Sequence, residues 1–172
     1  FVTTDTTRVA LQMARETILA YYLNDIDELR ELLTPSNFRV GNPTELAAAV
    51  ARYCVEIPAL VPKINAYPEC EQYRRFLVFV LHRLRCTRSE PGDPDAYPDA
   101  AAFGADLNLI RTSLAERGGE RLARNFVDSI LRRVDTFGFH LHTLDIRQHA
   151  RIHARAVAEL GDGIKVQLPE AR

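Results

Sequence analysis

Apolar residues recur along this chain at helical spacings, in five runs broken by proline or glycine, a pattern best satisfied by packed amphipathic helices. In the first run Leu11, Ile18, Tyr22, Ile26, Leu29 and Leu33 share one stripe, which predicts a helix from about Thr6 to Leu33. Thr3, Thr4 and Asp5 offer capping oxygens ahead of it, and Pro35 stops it. Asn42-Pro43 reads as an N-cap followed by a first-turn proline, opening a second helix through Ala47, Val50 and Tyr53 toward Pro58. Pro58, Pro62 and Pro68 then predict turns. A third helix runs from there to about Arg85, with Tyr73, Leu77, Leu81 and Leu84 on one face. It is apolar nearly all round between Phe76 and Leu81, so it is expected to be central. Asp99 can cap a fourth helix, marked by Phe103, Leu107, Ile110 and Leu114 and ended by Gly118-Gly119. Ala123, Val127, Ile130 and Val134 mark a fifth, which stops at Gly138.

Beyond Gly138 the period changes. Phe139 to Ile146, FHLHTLDI, alternates and is short, which predicts a strand over about 139–146. A last helix carries Ile152, Ala156 and Leu160 and ends at Gly161, and a short strand is expected at Ile164 to Leu168. A lone strand needs neighbours for its backbone groups. The chain is therefore expected to be mainly α-helical and to contribute one barrel-type strand to a larger α/β barrel, where residues at the carboxyl ends of strands face the active site. Asp145, Arg147 and Gln148 occupy that position. One loop interrupts the helices at about 88–99; its proline- and acid-rich core, SEPGDPDAYPD, predicts a flexible surface segment and no site.

The 172 residues suggest a single helical segment, and a chain of this size buries roughly 70% of its unfolded surface. A formal net charge of -1 supplies no field for nucleic acid or an anionic membrane. No apolar stretch approaches the ~20 residues of a membrane span, and the start FVTTDTTR has no leader-like basic or apolar region. The first residue is Phe, so the chain is expected to be an internal piece of a longer cytoplasmic protein. Cys54, Cys70 and Cys86 are spaced by 16, which fits no zinc pattern; reduced cysteines within apolar helical faces are expected.

Three groups could carry chemistry. Arg147 offers a fixed positive charge and a planar donor fork suited to phosphate or carboxylate, and the N-terminus of the following helix would add to it. Its alternative is a structural ion pair with Asp145 or another acid. His140 and His142 lie on one face of the expected strand, and His149 and His153 are four apart on the expected helix, both ligand-like spacings. A histidine-based metal-dependent hydrolase is thus one alternative function, and ordinary packing and surface histidines the other reading. Arg74, Arg75, Arg83, Arg85, Arg88, Arg132 and Arg133 read as a solvated helical face. A further alternative is a non-catalytic helical interaction or regulatory module.

Phe137 to His153, FGFHLHTLDIRQHARIH, resembles phosphoenolpyruvate carboxylase, whose members carry the phrase FG-x-x-L-x-x-(L/I/V)-DIRQ-x-x-x-x-H. SILRRV at Ser129 to Val134 is similar to the helix leading into that phrase. FVTTDTTRVALQMAR at the start looks like the stretch after the family's Gly-Asp-Arg-Asp-Gly-Asn-Pro motif, and QYRRFLVFVLHRL at Gln72 to Leu84 resembles a middle helix. The resemblance implies an enzyme that joins bicarbonate to phosphoenolpyruvate, giving oxaloacetate and phosphate with Mg²⁺ or Mn²⁺, as a homotetramer. It implies that Arg147 is one of several arginines around the substrate anions, with Asp145 and Gln148 supporting it. His149-Ala150 stands where the family often has Glu-Ser. The family's catalytic histidines, metal-binding acids and glycine-rich FHGRGG-type loop have no match here, so the metal ligands are expected outside these residues and the isolated chain inactive.

Overall fold

The computed structural model describes residues 4–33, 44–89, 92–141, 154–155 and 157–158. It divides into two compact units, Phe1–His142 and Thr143–Arg172. In the second, residues 154, 155, 157 and 158 are helical. The rest of the last helix and the expected strand at 164–168 lie outside the described residues.

The first unit is a bundle of helices. Helix α1 spans Thr4–Leu32 and buries Ile18, Tyr22, Ile26 and Leu29, with Leu33 just beyond it. Leu11 was expected on that stripe but is 40% exposed, as are Val9 and Met13 to a greater degree. The buried stripe begins at Ala14, so the N-terminal turns of α1 extend past the part of the core they could join. Helix α2, Thr44–Glu56, buries Leu46, Ala49, Val50 and Tyr53. Asn42 and Pro43 lie outside the described residues. The proline-punctuated stretch contains a 3-10 turn, Pro58–Leu60, and a one-turn α3, Val61–Ile64, each with proline in its first turn where no backbone N–H is required.

Helix α4, Gln72–Ser89, is the central element. Tyr73, Phe76, Leu77, Phe79, Val80, Leu81 and Leu84 are all buried, so its apolar surface wraps most of its circumference and meets α1, α2 and α5 at once. Helix α5, Ala100–Glu116, starts where Asp99 accepts a hydrogen bond from the Ala102 N–H at 2.8 Å. That satisfies one of the helix's orphan donors. It packs against α6 (Glu120–Leu122), the π-helical turn Ala123–Val127, and α7 (Asp128–Phe137).

Helix α7 ends at Gly138, whose φ of +53° and ψ of -135° suit glycine alone. The strand expected from 139 does not begin there. The His140 N–H bonds back to the Phe137 carbonyl at 3.1 Å, and Leu141 has a φ of +63°. Phe139 turns inward, at 6.2 Å from the Phe103 ring and 6.3 Å from Tyr22. Aromatic burial thus overrides the alternating pattern at its first three residues. Residues 142–146 lie outside the described residues, and among the described residues there is no strand.

Candidate functional site

Arg147, with Asp145 and Gln148 beside it, lies outside the described residues, as do His142, His149 and His153. His140 is exposed at the end of α7. What the structure shows is how the chain is fastened just before the DIRQ phrase.

Tyr22 makes that fastening. Its hydroxyl lies 2.8 Å from the Gly138 carbonyl and 3.1 Å from the Arg133 carbonyl, so it bridges the last turn of α7 from the middle of α1. About one turn further along α1, Arg133 of α7 donates to the Asp25 carboxylate, pinning the same two helices together. Burial pushes the Tyr22 hydroxyl up to about 12, against the lowering pull of Arg133. Asp25 is likewise raised by burial despite Arg133, with Glu28 adding to the rise. The Tyr22 ring contacts Phe103 at 5.4 Å, and Phe103 contacts Phe139 in turn. Gly138, nine residues ahead of Arg147, is thereby held on both of its sides.

A second constellation was not foreseen. Asp106, inside the apolar run of α5, accepts from the Tyr53 hydroxyl at 2.7 Å and from the Tyr97 hydroxyl at 2.6 Å. The Arg83 guanidinium donates to the Tyr53 oxygen at 2.6 Å, sits 3.8 Å from the Asp106 carboxylate and lies 4.1 Å above the Tyr97 ring. Arg83 had been grouped with a solvated arginine face; its side chain is only 17% exposed. Its neighbours Arg85, Arg88 and Arg132 are exposed. Burial is the largest cause raising Asp106, and the two tyrosines and Arg83 pull it back down. Tyr53 is raised to about 12 and Tyr97 well above the usual phenol range, both chiefly by burial. The sole sequence signal is one acid inside AAFGADLNLI.

Nor does the stretch expected as a mere loop stand off from the bundle. Tyr97 is buried and its N–H donates to the Thr87 hydroxyl at 2.8 Å, while Arg83 Nε donates to the Asp95 carbonyl at 3.3 Å. Asp95 Oδ2 lies 2.9 Å from His82 Nε2, and Cys86 Sγ lies 3.6 Å from that same nitrogen. None of the cysteines forms a disulfide, and all three are half-buried; Cys70 sits in a turn, not on the helical face expected for it.

The described residues form a helical framework in which Tyr22 holds the chain at Gly138. The sequence comparisons say to which family it belongs. The model of the family described as Phosphoenolpyruvate carboxylase matches residues 1–170, and the chain belongs to that family. The phosphoenolpyruvate carboxylase of Azorhizobium caulinodans is 34% identical over 93% of this chain and 18% of its own length. That of Ralstonia nicotianae is 35% identical over 93% of this chain and 16% of its own, and that of Azoarcus sp. is 34% identical over 93% and 18%. The chain therefore spans less than a fifth of the length of these relatives.

Proposed function

We propose that this chain is the segment of a phosphoenolpyruvate carboxylase that brings Arg147 to the substrate anions. The observation that carries the reading is the family match over residues 1–170, which includes the Asp145-Ile146-Arg147-Gln148 phrase. The reaction joins bicarbonate to phosphoenolpyruvate and yields oxaloacetate and phosphate. Bicarbonate attacks the phosphoryl group, giving carboxyphosphate and the enolate of pyruvate; carbon dioxide is then released and captured by the enolate. Both stages place negative charge on oxygens, and a guanidinium fixed beside them lowers the barrier without having to reorganise. The role assigned to Arg147 is that of a positioned cation, with Asp145 and Gln148 orienting it. The fastening of α7 and Gly138 by Tyr22 supports this reading, because a charge contributes to turnover only when its geometry is fixed beforehand.

The family's divalent metal is assigned to residues outside this chain. Among the described residues, the set of metal-ligating side chains that converges is His82, Cys86 and Asp95. Thiol and imidazole donors do not suit Mg²⁺, which takes oxygen ligands in an octahedron. The 172 residues alone are expected to be inactive, and the working protein to be a cytoplasmic homotetramer. Among the described residues no helix is long and apolar enough to cross a membrane.

The test is Arg147→Ala in the complete enzyme. Turnover is expected to fall on the order of 10²–10³-fold with the fold retained. Near-unchanged kinetics would remove Arg147 from the reaction.

A further inference from the structure

We propose that His82, Cys86 and Asp95 form a binding site for a borderline divalent cation of the Zn²⁺ or Co²⁺ kind, which ties the loop before α5 to the central helix α4. The proposal is independent of the role given to Arg147.

Geometry separates this from a catalytic relay. A cysteine–histidine–acid triad needs the acid on one imidazole nitrogen and the thiol on the other. Here Asp95 Oδ2 and Cys86 Sγ approach the same atom, His82 Nε2, at 2.9 and 3.6 Å. One nitrogen cannot serve both partners in a relay. Three donor atoms that all lie within 4.8 Å of one another instead have a spacing that one cation could bridge. Zn–S near 2.3 Å and Zn–N near 2.0–2.1 Å at a tetrahedral angle put sulfur and nitrogen about 3.5 Å apart, close to the spacing seen. The nitrogen–oxygen distance would need to lengthen by about 0.4 Å to match a tetrahedral shell.

The donors are also held in advance. His82 and Cys86 are four apart on α4, so one helical face presents both. Asp95 comes from the loop, and its position does not depend on His82 alone. Its N–H donates to Asp93 Oδ1 at 2.8 Å, its carbonyl accepts from Arg83, and the Tyr97 N–H two residues on is bonded to Thr87. Arg83, stacked on Tyr97 and facing Asp106, holds the Asp95 backbone against α4 through its Nε.

The donor set selects the ion. A thiolate, an imidazole and a carboxylate favour a borderline cation over Mg²⁺ or Ca²⁺. On binding, the Cys86 thiol proton leaves to solvent, and the imidazole proton moves to Nδ1 so that the Nε2 lone pair faces the metal. Thiolate and carboxylate together neutralise the 2+ charge. The fourth position is left to solvent.

Co²⁺ is the probe, added to the reduced, untagged 172-residue chain and followed by absorption. The expected result is one Co²⁺ per chain with a near-ultraviolet thiolate-to-cobalt band, which persists in Cys54→Ser/Cys70→Ser and in His142→Ala but is lost in Cys86→Ser. Asp95→Asn is expected to weaken binding without unfolding the chain. A hundredfold excess of Zn²⁺ over Kd is expected to raise Tm by about 5–10 °C. Absence of the thiolate band at stoichiometric Co²⁺ would overturn the proposal, and so would a band that survives Cys86→Ser or vanishes in His142→Ala. The wild-type spectrum alone decides if a variant does not fold.

Discussion

Asp106 shows how much a single side chain can hold. Its carboxylate accepts from two tyrosine hydroxyls and faces Arg83, joining α2, α4, α5 and the loop before α5. Removing it leaves two buried hydroxyl donors without their acceptor and takes away the carboxylate that faces Arg83. Asp106→Ala is therefore expected to cost about 3–5 kcal/mol in urea unfolding at neutral pH. Asp106→Asn keeps an acceptor and is expected to cost less than about 1.5 kcal/mol. Because burial in the folded protein raises the pKa of Asp106, folding favours its protonated form. The stability that form confers is full below the ordinary carboxylate range and is lost as pH rises through the raised value. The wild type should thus be more stable relative to Asp106→Asn at pH 4 than at pH 7; a relative stability that instead grows from pH 4 to pH 7 would contradict the assignment.

The end of α7 shows what one helix terminus decides. Val134 and Ile130 bury the helix against the bundle, and the Gly138 N–H closes the last turn onto the Val134 carbonyl at 2.8 Å. The chain can then reverse because Gly138 accepts a positive φ. A Cβ at that position would meet only the Ala100 Cβ, at 3.7 Å, an ordinary contact. The cost of Gly138→Ala is thus backbone strain, about 1–3 kcal/mol, with α7 itself retained. Thermal unfolding followed by circular dichroism would check it. If Arg147 has the role proposed for it, the same substitution in the complete enzyme is expected to lower turnover more than substrate affinity; unchanged turnover would separate the helix end from that role.

Across the first unit, four buried tyrosines share one behaviour. Tyr22 and Tyr53 are raised to about 12, and Tyr73 and Tyr97 are also raised, each mainly by burial. In the unfolded chain all four would ionise near ~10. Their contribution to stability is full below that value and is lost as pH climbs through the folded values. Alkaline unfolding should consequently be cooperative, with tyrosinate absorbance at 295 nm rising together with loss of helicity. Four phenols titrating near pH 10 in an intact helical fold would disprove this.

The sequence by itself determined the helices and their buried faces, because period and punctuation are local properties. Ile18, Tyr22, Ile26 and Leu29, the wrap of apolar residues on α4, the Asp99 cap and the Gly138 stop could all be read from spacing and residue type. The DIRQ phrase was equally legible and pointed to the family that the comparisons establish. Tertiary structure decided which polar groups meet. Nothing local joins Tyr53, Arg83, Tyr97 and Asp106, nor brings Asp95 to His82 and Cys86, because those pairings depend on how separate helices cross. The same holds for Phe139: its alternating neighbours predict a strand, but the aromatic pocket formed by Tyr22 and Phe103 draws it inward. Periodicity reports which face of an element is buried, and only packing reports what that face is buried against.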